Sequence, residues 1–479
     1  MFKKLLSQTA LYGISSIIGR FLNYLLVPFY IQYFEVGQYG QVTKLYAYIA
    51  FLNVIFTYGM ETAFFRFSTK NKENQQDIYN SAISLLLIST LVFTAGLYIA
   101  APHLANLIGI PGKIEYIQWT AFILATDTIL CIPFAKLRLD GNAKLFASAK
   151  IINILLNIGL NIFLIKFLKI IDPGMVLLAN LIANALIIPL LNQSFIKFRF
   201  TFKSQFIKPM LVYAWPLLFL GLAGMTNEVL DRILLEYLLP NDVLSKDDRI
   251  GIYGACYKLS IFMSLAVQAF RYAAEPFFFS KAEDKNAPQT FARVMNWFVI
   301  VCALIFLFVS VNLPIVEWIF VKTNKSVYVQ GLMIVPVLLL ANLFLGVYYN
   351  LSIWYKLADK TYFGTIITCI GAAITLVSLY LLIPIFGILG AAYATLICYF
   401  SITCISYIWG NKHYPIPYQL SKIGFYIILA VVFVFIHQWF HIQSLTFNLL
   451  VANSLVVFYL IIIVLNENLF QYFNKRIVK

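Results

Sequence analysis

Charge is scarce in this chain. Asp, Glu, Lys and Arg make up 11% of its 479 residues, against about 25% in an ordinary soluble domain. So few ionised groups cannot build a water-facing shell, which excludes a soluble enzyme and a disordered chain alike. Acid is the scarcer sign: 20 Asp+Glu stand against 35 Lys+Arg, a formal net charge of +15. In a soluble protein that excess would suggest nucleic acid. In a membrane protein it reads as positive loops kept on the cytoplasmic side, and no nucleic-acid partner is expected. Cysteine is sparse too. Cys131, Cys256, Cys302, Cys369, Cys398 and Cys404 lie in apolar runs, with no CxxC pair and no Cys/His cluster. They exclude a disulfide framework and point to no metal site or other cofactor. Long polar loops are missing as well. The longest, around Asn312–Val327, has about 16 residues. No soluble catalytic domain fits there, so no enzyme is expected.

What is there is apolar: 61% of the chain. Runs long enough to span a bilayer recur almost without pause. They cover 9–34, 41–65, 80–101, 114–135, 146–165, 173–193, 209–238, 250–279, 294–311, 328–355, 362–382, 387–409, 423–440 and 444–465. The fold class is an all-α polytopic membrane protein of about 14 helices. Met1–Lys4 precedes an apolar run with no small-residue cleavage site, so that run is read as the first span rather than a signal peptide. Pro28, Pro133, Pro216, Pro276 and Pro336 fall inside spans. Each removes a backbone hydrogen bond, and those helices are expected to bend. With the N-terminus placed in the cytoplasm, 22 Lys/Arg fall on the inner side, 7 on the outer and 6 within spans. That asymmetry predicts that both termini lie in the cytoplasm.

The chain repeats itself. Residues 37–65 align without gaps to 251–279 at an offset of 214, with ten identities in 29. Gly37, Tyr39, Gly40, Lys44, Leu45 and Glu61 match Gly251, Tyr253, Gly254, Lys258, Leu259 and Glu275. Gly174 and Gly387 sit before spans 6 and 12, an offset of 213. Spans 1–6 and 7–12 therefore read as two copies of one six-helix unit. Six is even, so the copies are parallel, related by an axis along the membrane normal. The expected domains are an N-terminal lobe at 1–200, a C-terminal lobe at 201–415, and an appended helix pair at 416–479. Two such lobes can rock against one another, which is alternating access.

Charges inside spans are costly and mark function or pairing. Arg20 lies 11 residues into span 1, about 17 Å deep. Arg271 falls toward the cytoplasmic end of span 8; Lys44 and Lys258 lie near the outer ends of spans 2 and 8. Together they would make a cationic ladder suited to a polyanion, because guanidinium grips phosphate oxygens in pairs. Local neutralisation, or snorkelling of Lys44 and Lys258, is the alternative. Among the acids, Glu61 and Glu275 are repeat mates that could hold an inner gate, with Arg66 or Arg271 as partners. Asp231 and Arg232 sit with Glu228 at helical spacing, as a structural or gating network. Asp127, deep within span 4, could take a proton or a sodium ion. Tyr24, Tyr30 and Tyr33 could line a sugar-compatible cavity.

Some of these stretches resemble a family. Gly19-Arg20-Phe21-Leu22-Asn23 followed by Val27-Pro28-Phe29-Tyr30, and Tyr58 through Arg66, are similar to the first two helices of bacterial polysaccharide flippases. Asp231-Arg232 and Gly387 through Thr395 are similar as well. These flippases belong to the multidrug/oligosaccharidyl-lipid/polysaccharide exporter (MOP) superfamily. The resemblance implies two six-helix lobes that carry undecaprenyl-pyrophosphate-linked oligosaccharide, of the O-antigen or lipopolysaccharide type, across the membrane. It implies Arg20 and Arg271 at the pyrophosphate. Membrane lipids and the lipid-linked glycan are the expected partners. Fourteen spans also resemble the lipid II flippase of peptidoglycan synthesis. A proton- or sodium-coupled multidrug exporter is the third reading, though those exporters often carry an acid in span 1, where this chain has Arg20.

Overall fold

The computed structural model describes residues 19–467, apart from Arg20, Asn23, Asn241, Asp242 and 441–443. Among them no strand occurs. Lipid offers no partner to a free peptide group, so an apolar chain must close its hydrogen bonds within helices. Helix α1 covers residues 24–33. Then come α2 Val36–Thr57, α3 Met60–Lys70, α4 Gln75–Leu107, α5 Ile114–Leu139, α6 Ala143–Ile162, α7 Gly174–Ile187, α8 Asn192–Ile196 and α9 Ser204–Leu238. They are followed by α10 Lys246–Lys258, α11 Ile261–Lys281, α12 Ala287–Val311, α13 Leu313–Lys322, α14 Ile334–Leu351 and α15 Ile353–Leu357. The last four are α16 Tyr362–Phe386, α17 Ile388–His413, α18 Leu420–Trp439 and α19 Leu445–Asn466.

Among the described residues, 12 helices are long and apolar enough to cross a membrane, and 13 if the bent pair α10–α11 is one span. They match the second to fourteenth expected spans in order. The first expected span, 9–34, falls largely outside the described residues; α1 is its described end. Large side chains such as Ile99, Val212, Phe435 and Trp439 face outward, where water would penalise them and acyl chains do not. The protein is a multi-pass membrane protein.

The breaks are not where proline suggests. Helices α5, α9 and α11 run unbroken through Pro133, Pro216 and Pro276. Pro336 lies in the first turn of α14, where no intrahelical donor is lost. One break falls between α2 and α3, where Tyr58 (φ 32°) and Gly59 (φ 73°) are left-handed. A Cβ on Gly59 would also lie 2.8 Å from Leu217 Cβ. Another falls at Leu259-Ser260, a 47° bend. There both backbone N–H groups reach back three residues rather than four, and Ser260 Oγ donates to the Tyr257 carbonyl, a habit that bends helices. The expected loop at Asn312–Val327 is also largely helical. Its Leu-Pro start opens α13, because proline is pre-set for a first helical turn.

Cα packing divides the chain into two compact units. Unit 1 holds the described residues up to Gly254 together with Thr375–Ala391; unit 2 holds Ala255–Ile374 and those from Ala392 onward. In unit 1, α3, α4, α5 and α9 bury Met60, Phe64, Tyr79, Ile132 and Met210 in one cluster. The repeat glycines serve close approach there. Gly40 backs onto the Asp247 carbonyl, and Gly251 onto the Val36 carbonyl, so the openings of α2 and α10 meet where side chains would not fit. In unit 2, α12 packs against α11, α14, α18 and α19. Trp354 is buried there, with Gly410 against its ring and its Nε1 donating to Ser406 Oγ at 3.2 Å.

Candidate functional site

Each unit carries an acid–base pair built from repeat-equivalent acids. Glu61 sits in the first turn of α3, where the helix dipole favours an acid. It pairs with Arg138 from the last turn of α5. Cys131 Sγ donates to the same carboxylate at 3.6 Å. In unit 2, Lys356 Nζ of α15 donates to Glu275 Oε1 at 2.7 Å. The partners are thus Arg138 and Lys356, not the Arg66 and Arg271 expected from sequence. Arg66 lies five residues after Glu61, about 140° around the helix, and its guanidinium covers the Tyr213 ring at 4.3 Å. Arg271 lies over the Tyr349 ring at 4.8 Å. Among the described residues no carboxylate pairs with it.

Lys44 is different. Its side chain is fully buried, with Nζ 2.8 Å from both Glu236 Oε2 and Asp247 Oδ1. Gln41 Nε2 donates to the other Asp247 oxygen at 3.0 Å. Left-handed Gly109 leaves the space that Glu236 occupies. Two carboxylates therefore hold the Lys44 charge, and a phosphate would have to displace both. Its repeat mate Lys258 closes α10 and is half-buried. Arg20 lies outside the described residues.

Asp231 is buried, accepting the Tyr253 hydroxyl on one oxygen and the Arg232 N–H at 2.8 Å on the other. Arg232 Nη1 donates to the carbonyl of Glu228 at 2.9 Å. This ties α9 to α10 within unit 1. Asp127, on α5, accepts from Asn184 Nδ2 at 2.8 Å, and Asn184 Oδ1 accepts from Asn153 at 2.9 Å. Tyr30 donates to Asn161 at 2.9 Å, and Asn180 donates to the Tyr46 hydroxyl at 2.9 Å. Sequence reasoning passed over these amides, although a signal existed. Asn153, Asn157 and Asn161 recur every fourth residue in α6, as do Asn180 and Asn184 in α7, which puts each set on one face. Lys150 lies on α6 as well. Its ammonium lies 4.3 Å over the Phe134 ring, with no carboxylate in ion-pair distance among the described residues. No group of three His, Cys, Asp or Glu among those residues is placed to hold a metal.

A family model described as "Polysaccharide biosynthesis protein" matches residues 5–281, more than half of the chain. No curated protein matches it by sequence. Among solved structures, the chain is similar to a lipid II flippase, MurJ, in its inward closed conformation. The TM-score is 0.73 at 15% identity, covering 95% of this chain and 99% of that one. It is also similar to an inward-facing multidrug resistance MATE transporter of the MOP superfamily, with TM-score 0.63, 13% identity and 85% and 99% coverage. A mutant form of the Vibrio cholerae MATE transporter VcmN gives 0.60 at 16% identity, with 86% and 96% coverage. At such identities these likenesses speak for the fold. The chain thus belongs to the polysaccharide biosynthesis protein family and carries the fold shared by MOP-superfamily transporters.

Proposed function

We propose that the protein flips an undecaprenyl-pyrophosphate-linked oligosaccharide from the cytoplasmic to the periplasmic leaflet of a bacterial inner membrane, by alternating access. The two parallel repeats at 1–200 and 201–415 supply the moving lobes in this reading, with 416–479 appended and both termini cytoplasmic. Arg271 carries the reading. A guanidinium inside a membrane span is expensive and normally paired. This one has an aromatic face beneath it and no carboxylate among the described residues. That suits an anionic ligand and repels the organic cations of drug exporters. The family match supports the glycan side of the reading.

Glu61–Arg138 and Glu275–Lys356 act as gating pairs, and Asp231–Arg232 as a support for α9. Asp127, in its amide relay, takes the coupling proton or sodium ion. Arg20 joins Arg271 at the pyrophosphate, with Lys258 farther out, while Lys44, held between Glu236 and Asp247, is a structural charge rather than a ligand contact. Lipid II is the second candidate cargo, favoured by a likeness to MurJ that extends over 95% of the chain.

The test is affinity of the purified protein for the undecaprenyl-pyrophosphate-linked oligosaccharide, for lipid II and for a cationic dye. Losing one charge-assisted contact costs about 1.5–3 kcal/mol, or roughly 10- to 150-fold. Arg271→Ala is expected to weaken lipid binding by that factor and leave the dye unaffected. Dye binding without lipid binding, indifferent to Arg271, overturns the proposal in favour of a cation exporter.

A further inference from the structure

In unit 2 a recess opens among α11, α14 and α15, with Phe270 and Phe278 on its apolar side and Arg271, Glu275, Ser352 and Lys356 on its polar side. Its volume is about 20 Å³, room for about one water. Two cations meet one acid there. Glu275 has taken Lys356, at 2.7 Å. Arg271 lies one helical turn before Glu275, where an i,i+4 pair would be ordinary, yet it rests on the Tyr349 ring. One positive charge is left over, and it is exposed.

We propose that Glu275 is a place-holder. Arg271 and Lys356 together form a pyrophosphate subsite, occupied when an incoming phosphate displaces the Glu275 carboxylate from Lys356. The inference deepens the flippase reading and rests on it. A pyrophosphate linked at both ends brings two negative charges against the carboxylate's one, and four non-bridging acceptor oxygens. The guanidinium fork takes two of these and the ammonium a third. The recess has no room for both anions, so one must leave. The Glu275 side chain is 40% exposed and can turn to solvent, and an ion pair this open to solvent is weak. Lys356 thereby stays neutralised while the subsite is empty and becomes available as the phosphate arrives. With both termini cytoplasmic, as proposed above, the recess lies toward the inner ends of its helices, on the side of a cytoplasmic-leaflet lipid's phosphates.

The experiment measures binding by the full chain in lipid nanodiscs of undecaprenyl pyrophosphate, inorganic pyrophosphate and undecaprenol, which has no phosphate. Glu275→Gln is expected to tighten both pyrophosphate ligands about 3- to 10-fold, and Lys356→Gln to weaken them about tenfold. Undecaprenol is expected to respond to neither. Opposite signs are the signature. A pair that only holds the fold is broken equally by both substitutions, so a shift in the same direction overturns the place-holder. A misfolded variant cannot gain affinity, which protects the Glu275→Gln arm. Lys356→Arg should retain binding. Should inorganic pyrophosphate show the pattern while the lipid does not, the lipid source is overturned. If the unsubstituted protein binds neither pyrophosphate ligand, the flippase reading falls with the subsite. If it binds them and the signs agree, only the subsite falls.

Discussion

Lys44 and Lys258 hold the same place in the two copies of the repeat, and their surroundings differ. Lys44 lies mid-helix, sealed between Glu236 and Asp247. Lys258 is the last residue before a 47° bend and is half-buried. Seventeen residues on, the copies agree again: Glu61 and Glu275 each meet a cation from the end of the fourth span of their own half. Between these points the breaks alternate. The first copy continues past Lys44 and breaks at Tyr58-Gly59; the second breaks at Leu259-Ser260 and runs straight through Tyr272-Ala273. Identical residues set the seams and the end pairs, while their non-identical neighbours decide where each helix turns. A glycine can sit at positive φ and an alanine resists it. A serine can bond back to its own helix where Tyr46, its mate, cannot.

The largest expected effect separates the two lysines. Lys44→Met leaves two carboxylates facing one another without a cation. Breaking a buried pair from one side costs about 3–5 kcal/mol. Lys258→Met is expected to cost about 1 kcal/mol or less, as for partly exposed charges. Unfolding both variants in mixed detergent micelles, followed by far-UV circular dichroism, gives the two numbers. Equal losses break the comparison.

The break positions give the next effect. Gly59→Ala puts a Cβ at positive φ, which costs about 1–2 kcal/mol, and presses it against Leu217. Ala273→Gly in the second copy should cost only about 0.5–1 kcal/mol, the usual glycine penalty within a helix. The same unfolding experiment reads both. A larger loss at Ala273 means that the second copy, too, depends on this position.

Much of this fold is legible in the residues. Apolar runs fix the spans, because nothing else can cross lipid, and thirteen of fourteen expected spans have a counterpart. The repeat was readable through its glycines, lysines and glutamates. The breaks were not. Proline is tolerated within α5, α9 and α11, whereas Gly59 breaks its helix through a contact with α9 that no local pattern announces. The cation each acid would meet was equally hidden. Arg66 is near Glu61 in sequence but points elsewhere, and Arg138 arrives from another helix. Conversely, the asparagine faces of α6 and α7 were open to reading, and with them the neighbours of Asp127.

The smallest effect lies in the loops, where the copies also part. Asp172 precedes Gly174, and the equivalent position before Gly387 is Ile385. In the first copy Asp172 accepts from Lys113 Nζ at 2.8 Å, the Tyr116 hydroxyl at 2.6 Å and the Gly174 N–H at 2.7 Å. Burial pushes its carboxyl upward, but these donors outweigh burial and hold it below the usual carboxylate range. Lys113 is raised, chiefly by its hydrogen bond to Asp172 and against the pull of its own burial. A carboxyl depressed on folding stabilises above its unfolded pKa, about 4, and loses that contribution as pH falls through its folded value. The raised lysine stabilises below its unfolded pKa, about 10.4, and loses that contribution at still higher pH. The clasp should therefore be at full strength between about pH 5 and 9 and weaken on the acid side first. Melting from pH 3 to 7 should show a smaller acid-side decline for Asp172→Asn than for the unsubstituted protein, because asparagine has no proton to gain. Parallel declines mean that acid weakens the fold elsewhere, and that the first copy's loop is no more clasped than Ile385 leaves the second.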